Sequence, residues 1–418
     1  MYLKGSKLSL KPKRRRPNLL LIGFLVLAIG GLIYLNIMVV PNMQPLLMPT
    51  PTPTRDPISY ELEAEGLASE GKYVAAVAIY KQAVNANPQN VMNYINLAKL
   101  QIYTGTYEEA KVNAENAILL NKNYPESYAL LAWALGLQGN YLEAEVYVKQ
   151  GIQVDTNSAL AHAIYAYILA LRLSDGLGEI GTVDLAIEES RTALTLDPNL
   201  LEARWARGFV LEVTSNYAEA VEELEVAVQI NSYIAELHLA LGRNYSALEQ
   251  YDQAVFEFTK AYSLNPTDPD PNYYISRVYA RLGEFAKAIQ YAEQALKDDP
   301  TSANLNANLG TMYYRNAQFN QSLKYLELAV RGGVTDTGEV VVGIPLEYSN
   351  SVIEVFSRYG LALSKVNRCN EAVQVAQAMI QGVPDDETAM FNADAIITQC
   401  QENLENPPTA TPEPTATP

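Results

Sequence analysis

Two apolar patterns divide the chain. From Leu19 to Val40 the residues are apolar almost without a break, Asn36 being the strongly polar exception. Those 22 residues predict a helix roughly 33 Å long, enough for a hydrocarbon core about 30 Å thick. A core helix would carry a polar face at period 3.6, and none is visible. A cleaved secretory signal has an apolar stretch of about 7–15 residues before a small-residue cut site. Here the stretch is longer and runs into Pro41-Asn42-Met43-Gln44-Pro45. The triple arginine before it is followed directly by Pro17-Asn18, which does not suit twin-arginine export. The expectation is an uncleaved signal-anchor helix over 18–40.

From about Ser59 the pattern becomes one of small residues at a fixed step. Ala76, Ala110 and Ala144 stand 34 apart, Ala186 follows 42 later, Ala220, Ala254, Ala288 and Ser322 return to 34, and Ala372 comes 50 later. Twelve positions upstream lies a second column of Ala64, Ala98, Ala132, Gly208, Gly242, Ser276, Gly310 and Gly360, with Ala166 in that place beside the first insertion. A third column lies seven downstream: Ala83, Ala117, Gly151, Ala193, Ala227, Ala261, Ala295 and Ala329, with Met379 as the exception. Helix stops recur at Asn87-Pro88, Asp197-Pro198, Asn265-Pro266, Asp299-Pro300 and Val383-Pro384. Small residues let helix backbones approach, and Pro beyond a helix end stops it.

A two-helix unit of this length cannot bury its apolar faces alone and must stack on its neighbours. The pattern resembles the tetratricopeptide repeat. The sixth unit carries it most fully, in Leu241-Gly242-x-x-Tyr245, then Ala254-x-x-x-Phe258-x-x-Ala261 and Pro266. The resemblance covers nine repeats from about Ser59 to Pro384, followed by a last helix from about Asp386 to Gln401. It implies an all-α, right-handed superhelical solenoid over 58–403. Ala64 and Ala166 in place of Gly, and Met379 in place of a small residue, make repeats one, four and nine the least regular.

Two insertions interrupt the array. Ser174 to Gly181 contains Gly176-x-Gly178-x-x-Gly181, a literal dinucleotide fingerprint. That fingerprint works where a strand enters the turn; here an Ala/Leu-rich helix enters, so a flexible inter-helix loop is expected and no cofactor. Thr335 to Tyr348, with Val340-Val-Val-Gly-Ile-Pro345, reads as a short hairpin or an extended segment over the last repeats.

Charge adds orientation. Residues 1–17 hold seven basic groups and no acid, leaving a body of 23 Lys and Arg against 47 Asp and Glu. By the positive-inside rule, the tail 1–17 is expected in the cytosol and the body beyond a cell membrane crossed once. An acidic body does not suit nucleic acid, since phosphate contacts need clustered Lys and Arg. Two Cys and two His are too few for a Cys/His zinc module. Alternating Pro and Thr over 41–57 and 404–418 read as extended spacers, either plain disordered linkers or O-glycosylated stalks.

Cys369 lies fifteen residues before, and Cys400 sixteen after, the turn near Pro384, at one height on antiparallel helices. An exported domain would join them as a disulfide worth about 2–4 kcal/mol; two separately buried thiols are the alternative. His162 and His238 occupy one position two repeats apart, too far apart to share a metal, and read as packing residues. No nucleophile elbow, phosphate-binding Gly-Lys motif or helix with two His four apart is present, so no enzyme, metal or cofactor is expected.

In the resembled family the first helix of each repeat lines the concave groove. Carried over, one column reads Glu65, Lys99, Trp133, Tyr167, Phe209, Arg243, Arg277 and Thr311, and a neighbouring one includes Trp205 and Tyr273. Trp133, Tyr167, Trp205 and Phe209 form an expected aromatic strip, with Arg243 and Arg277 just beyond. Aromatic and Arg side chains are what binding hot spots favour. The strip would take an extended protein or peptide segment, its carboxylate at the arginine end; aromatics that merely fill a narrow superhelix are the alternative. A scaffold for envelope or secreted proteins follows, with a receptor for a small molecule or glycan, or a regulatory subunit of an envelope enzyme, as other readings.

Overall fold

The computed structural model of the chain describes residues 18–39 and 55–405. The basic tail, most of the first spacer and the C-terminal Pro/Thr segment lie outside the described residues. The chain divides into two compact units after Asp56. In the first, an α-helix over Leu19–Tyr34 passes into a π-helical turn over Leu35–Val39. Leu19–Met38 is apolar, 20 residues long and unburied within its own unit. That is long and apolar enough to cross a membrane.

The second unit is an all-α solenoid. Nine helix pairs run from Pro57–Ser69 with Tyr73–Ala86 to Asn350–Lys365 with Cys369–Gly382, and a capping helix, Glu387–Glu405, closes the array. The cap runs four residues further than its apolar pattern predicts. The small columns are the contact lines between helices: Ala76, Ala110, Ala144, Ala220, Ala254 and Ala288 are all fully buried. A Cβ added to Gly242 would lie 2.4 Å from the ring of Phe258, and one on Gly208 would lie 2.6 Å from Leu224. Each glycine therefore faces the bulky residue of its own pair's second helix. Where Ser322 replaces Ala, its hydroxyl donates to the Gly310 carbonyl at 2.8 Å, so the buried polar group is satisfied.

Both insertions are accounted for. The Gly176–Gly181 loop follows a helix, Ala159–Ser174, and is held by Arg172, whose guanidinium donates to the Leu177 carbonyl at 3.3 Å and to Glu179 at 3.0 Å. The second insertion makes a two-residue antiparallel ladder, Gly333–Val334 against Val340–Val341. It then returns to repeat eight through the Ile344 N–H, which donates to the Ala329 carbonyl at 2.8 Å.

Curvature decides what the inner face becomes. The first helices of repeats three, four and five, Pro125–Leu137, Ala159–Ser174 and Leu201–Val213, pack directly on one another. Their facing residues include Ala129, Ala132, Ala163, Ala166, Ala203 and Ala206, all buried. Small side chains on the inner helices let them close up, so the solenoid bends tightly there. Repeats one and two consequently reach repeats five and six. The Tyr73 hydroxyl donates to Asn231 Oδ1 at 2.8 Å, and Tyr103 donates to Glu202 Oε1 at 2.6 Å. Lys99 Nζ lies 2.5 Å from the same Glu202 oxygen, whose side chain is 1% exposed. One apolar core runs from repeat one to the first helix of repeat six, and smaller separate clusters serve the rest.

Candidate functional site: the inner-face cavity

Five of the six predicted groove residues come together. Tyr167, Trp205, Phe209, Arg243 and Arg277 line a cavity of about 910 Å³ on the inner face. Trp133 does not. It is 1% exposed, enclosed by Tyr103, Tyr167 and Trp205 with ring centroids 5.3–6.1 Å away. The tight bend over the Ala-lined helices, and repeat two folded across it, remove Trp133 from the surface. Tyr167 and Phe209 are 5.0 Å apart and, with Trp205, form the cavity's apolar floor. They are themselves less than a tenth exposed, so the strip is largely core and shows the cavity only its edge.

Arg243 is not a free cation. Its Nε and Nη2 donate to the two oxygens of Glu212 at 2.7 and 3.3 Å, and Nη1 donates to Glu236 at 3.2 Å. Burial opposes its charge, but Glu212 and Glu236 hold it protonated above the ordinary arginine range. The predicted carboxylate-reading role at Arg243 is therefore corrected: two internal glutamates already occupy its fork. Arg277 differs. Its Nη1 donates to the Tyr273 hydroxyl at 2.7 Å with the guanidinium over that ring, and among the described residues it forms no ion pair.

The wall facing repeats six and seven is acidic. Burial raises Glu236 against the pull of Arg243. Burial also raises Asp268. Burial pushes Tyr107 and Tyr274, both on the cavity wall, up to about 12. These groups make hydrogen-bond donors and acceptors around an aromatic floor. Among the described residues no three His, Cys, Asp or Glu group to hold a metal.

The remaining predicted residues sit elsewhere. Cys369 and Cys400 are joined, their Cα atoms 5.4 Å apart, and fasten the cap to repeat nine. His162 Nδ1 lies 2.5 Å from Glu189, with Nε2 3.1 Å from the Thr156 carbonyl. His238 repeats the arrangement with Glu257 at 2.6 Å and the Ser232 carbonyl at 3.0 Å. Arg204 does the same with Glu223 at 2.5 Å and the Pro198 carbonyl at 2.9 Å. These side chains staple the inter-repeat loop to the second helix. The signal was in the sequence, as two in-phase columns, His162/Arg204/His238 and Glu189/Glu223/Glu257.

Residues 234–303, which span repeats six and seven, match the tetratricopeptide repeat family. No curated protein matches the chain. Solved structures that resemble it include two with the following likeness. One, from a functional characterization of Pseudomonas aeruginosa pilF, is 22% identical with a TM-score of 0.41, covering 50% of this chain and 91% of that one. The other, the crystal structure of MamA protein, is 24% identical with a TM-score of 0.34, covering 40% and 88%.

Proposed function

We propose that the protein is a membrane-anchored interaction scaffold whose inner-face cavity receives a segment of a partner protein on the far side of the membrane from its basic tail. Five groove residues around one cavity of about 910 Å³ carry this reading. Repeats of tetratricopeptide type at 234–303 support a protein-binding role, and the apolar helix with its basic N-terminal flank supports anchorage and orientation. Tyr167, Trp205 and Phe209 offer apolar contact, and Arg277 offers the charge that Arg243 has already spent on Glu212 and Glu236.

Ala247 is the position for a test. It is exposed and lines the cavity, so Ala247→Trp obstructs the space without cutting into the core. Capture of partner by the full-length protein from its own membranes is expected to fall at least fivefold with Ala247→Trp. It should be unchanged with Leu142→Trp on the exposed outer face. Equal capture by both variants moves the site off the cavity. The receptor reading keeps one specific support: the volume and aromatic floor suit a small ligand or sugar as well. A thermal-shift screen of sugars, nucleotides and peptides separates the two.

A further inference from the structure

The walls of the inner-face cavity come from two successive turns of the solenoid. On one side stand Tyr103, Thr104 and Tyr107, around the turn between the helices of repeat two (Val91–Tyr103 and Tyr107–Leu120); on the other stand residues of repeats five to seven. Burial first, and then the charges of Glu236 and Asp268 across the cavity, push Tyr107 up to about 12. The seam between the turns is one lip of the cavity, and parting it converts an enclosed space into an open groove.

This seam is built unlike the rest of the body. Every extensive helix–helix contact joins helices of the same repeat or of neighbouring units. Across the seam, long side chains reach instead. The Tyr73 hydroxyl meets Asn231, while Lys99 and Tyr103 both bond one oxygen of Glu202. The ring contact across it is Tyr103 on Trp205, centroids 6.4 Å apart. Gly71, left-handed at φ +75°, lies so close to Tyr233 that a Cβ would stand 2.2 Å from its ring. The second oxygen of Glu202 is buried and makes no hydrogen bond among the described residues. A buried carboxylate is costly unless it is paired and fully hydrogen-bonded, so closure leaves Glu202 half satisfied and water on opening supplies the rest. An apolar seam would hold the turns shut, whereas this one closes at a small net gain. Coupling in a solenoid runs between neighbours, so slight unbending at the interfaces between repeats two and five parts the seam while each stacked interface stays intact.

We propose that repeats one and two form a jaw that parts from repeats five and six to admit the partner segment and closes over it, with Lys99, Tyr103 and Glu202 as the latch. The proposal rests on the reading that the cavity receives a partner segment, and it adds how that site is entered. The chain carries its own reporters of the seam. Its two tryptophans, Trp133 and Trp205, lie 6.1 and 6.4 Å from the ring of Tyr103 and are 1% and 5% exposed. Both gain access to solvent when repeat two moves away.

The test is acrylamide quenching of tryptophan fluorescence in the full-length protein in detergent. Lys99→Gln/Tyr103→Phe removes the latch's charge and hydroxyl but keeps the ring that covers the tryptophans. Its quenching constant is expected to rise at least threefold with the helical signal unchanged. The constant should stay the same in Lys149→Gln, which breaks a pair with Glu145 away from the seam. Lys72 and Tyr233 are exposed on either side of the seam. Cysteines at both, joined by a short bis-maleimide in the latch-free variant, are expected to restore the wild-type constant; Cys369 and Cys400 are already joined to each other and do not react. Equal quenching of latch-free and wild-type protein, or no reversal by the bridge, overturns the jaw. Should the double variant lose its helical signal, Tyr73→Phe, which removes one hydroxyl, is read in the same assay; a measurable rise is expected, and an unchanged constant counts against the jaw. Entry is read by mixing the bridged protein, with its latch intact and a photo-crosslinker at position 247, with solubilised membranes from its own cells. Its protein adduct is expected to be at least fivefold weaker than that of the same protein capped with N-ethylmaleimide. An undiminished adduct overturns the gate and leaves the cavity reading standing, whereas no adduct from either form overturns both.

Discussion

At the scale of single residues, the repeat is held by polar staples as well as by small columns. His162 is the clearest. The hydrogen bond that His162 donates to Glu189 raises its pKa above the ordinary 6.5, although burial works against it. The folded protein therefore binds this proton more tightly than the unfolded chain. Its contribution is fully present below about pH 6.5 and is lost as pH rises through the raised folded value. His162→Gln is expected to cost more stability at pH 6 than at pH 9, as read by urea unfolding at the two pH values. An equal cost at both would mean that the imidazole works only by packing. Of these staples only the shared position of His162 and His238 is legible in the sequence, and it reads as packing because their partners Glu189 and Glu257 lie on the other helix. Lys99 with Glu202 was not legible at all. The two are 103 positions apart and meet only because the accumulated curvature of three repeats brings them together.

At the scale of elements, helix number and boundaries follow from the 34-residue step, because helix packing repeats wherever the small columns repeat. The intra-repeat turns show how tolerant that step is. Each requires one left-handed residue, supplied by Gly71, Gly105, Gly139, Gly176 and Gly283, and elsewhere by Ser215, Glu249, Ala317 and Asn367. The capping helix depends on a different bond. Cys369–Cys400 closes a 31-residue separation, worth about 2–4 kcal/mol. Neighbour-only coupling in a solenoid confines that contribution to the last repeat and the cap, where Tyr359, Met379 and Ile396 share a core. Reduction is expected to raise hydrogen exchange over the cap and repeat nine while leaving repeats three to five protected. Uniform loosening along the array would contradict this confinement. The sequence of the insertion before repeat nine leaves its form open, since a two-residue ladder has too little pattern to declare itself.

At the scale of the whole solenoid unit, one fold carries two inner surfaces. The array from repeat one to the first helix of repeat six closes over its aromatics into a continuous core, while the later repeats keep separate, smaller cores and an open face of mixed charge. The aromatic residues of the expected strip lie together, and Trp133 is enclosed among them. Residue type fixes which side chains face inward, but burial of Trp133 depends on how far the Ala-lined helices let the array bend. The cavity inherits its floor from that bend and its free charge from Arg277. The most direct measurement of its role is photo-crosslinking in intact cells, with the crosslinking residue placed at Ala247 on the cavity wall or at Leu142 on the outer face. The account predicts a discrete protein adduct from position 247 that is absent from position 142. Identical adducts from both positions, or none from 247 when 142 reacts, would contradict it.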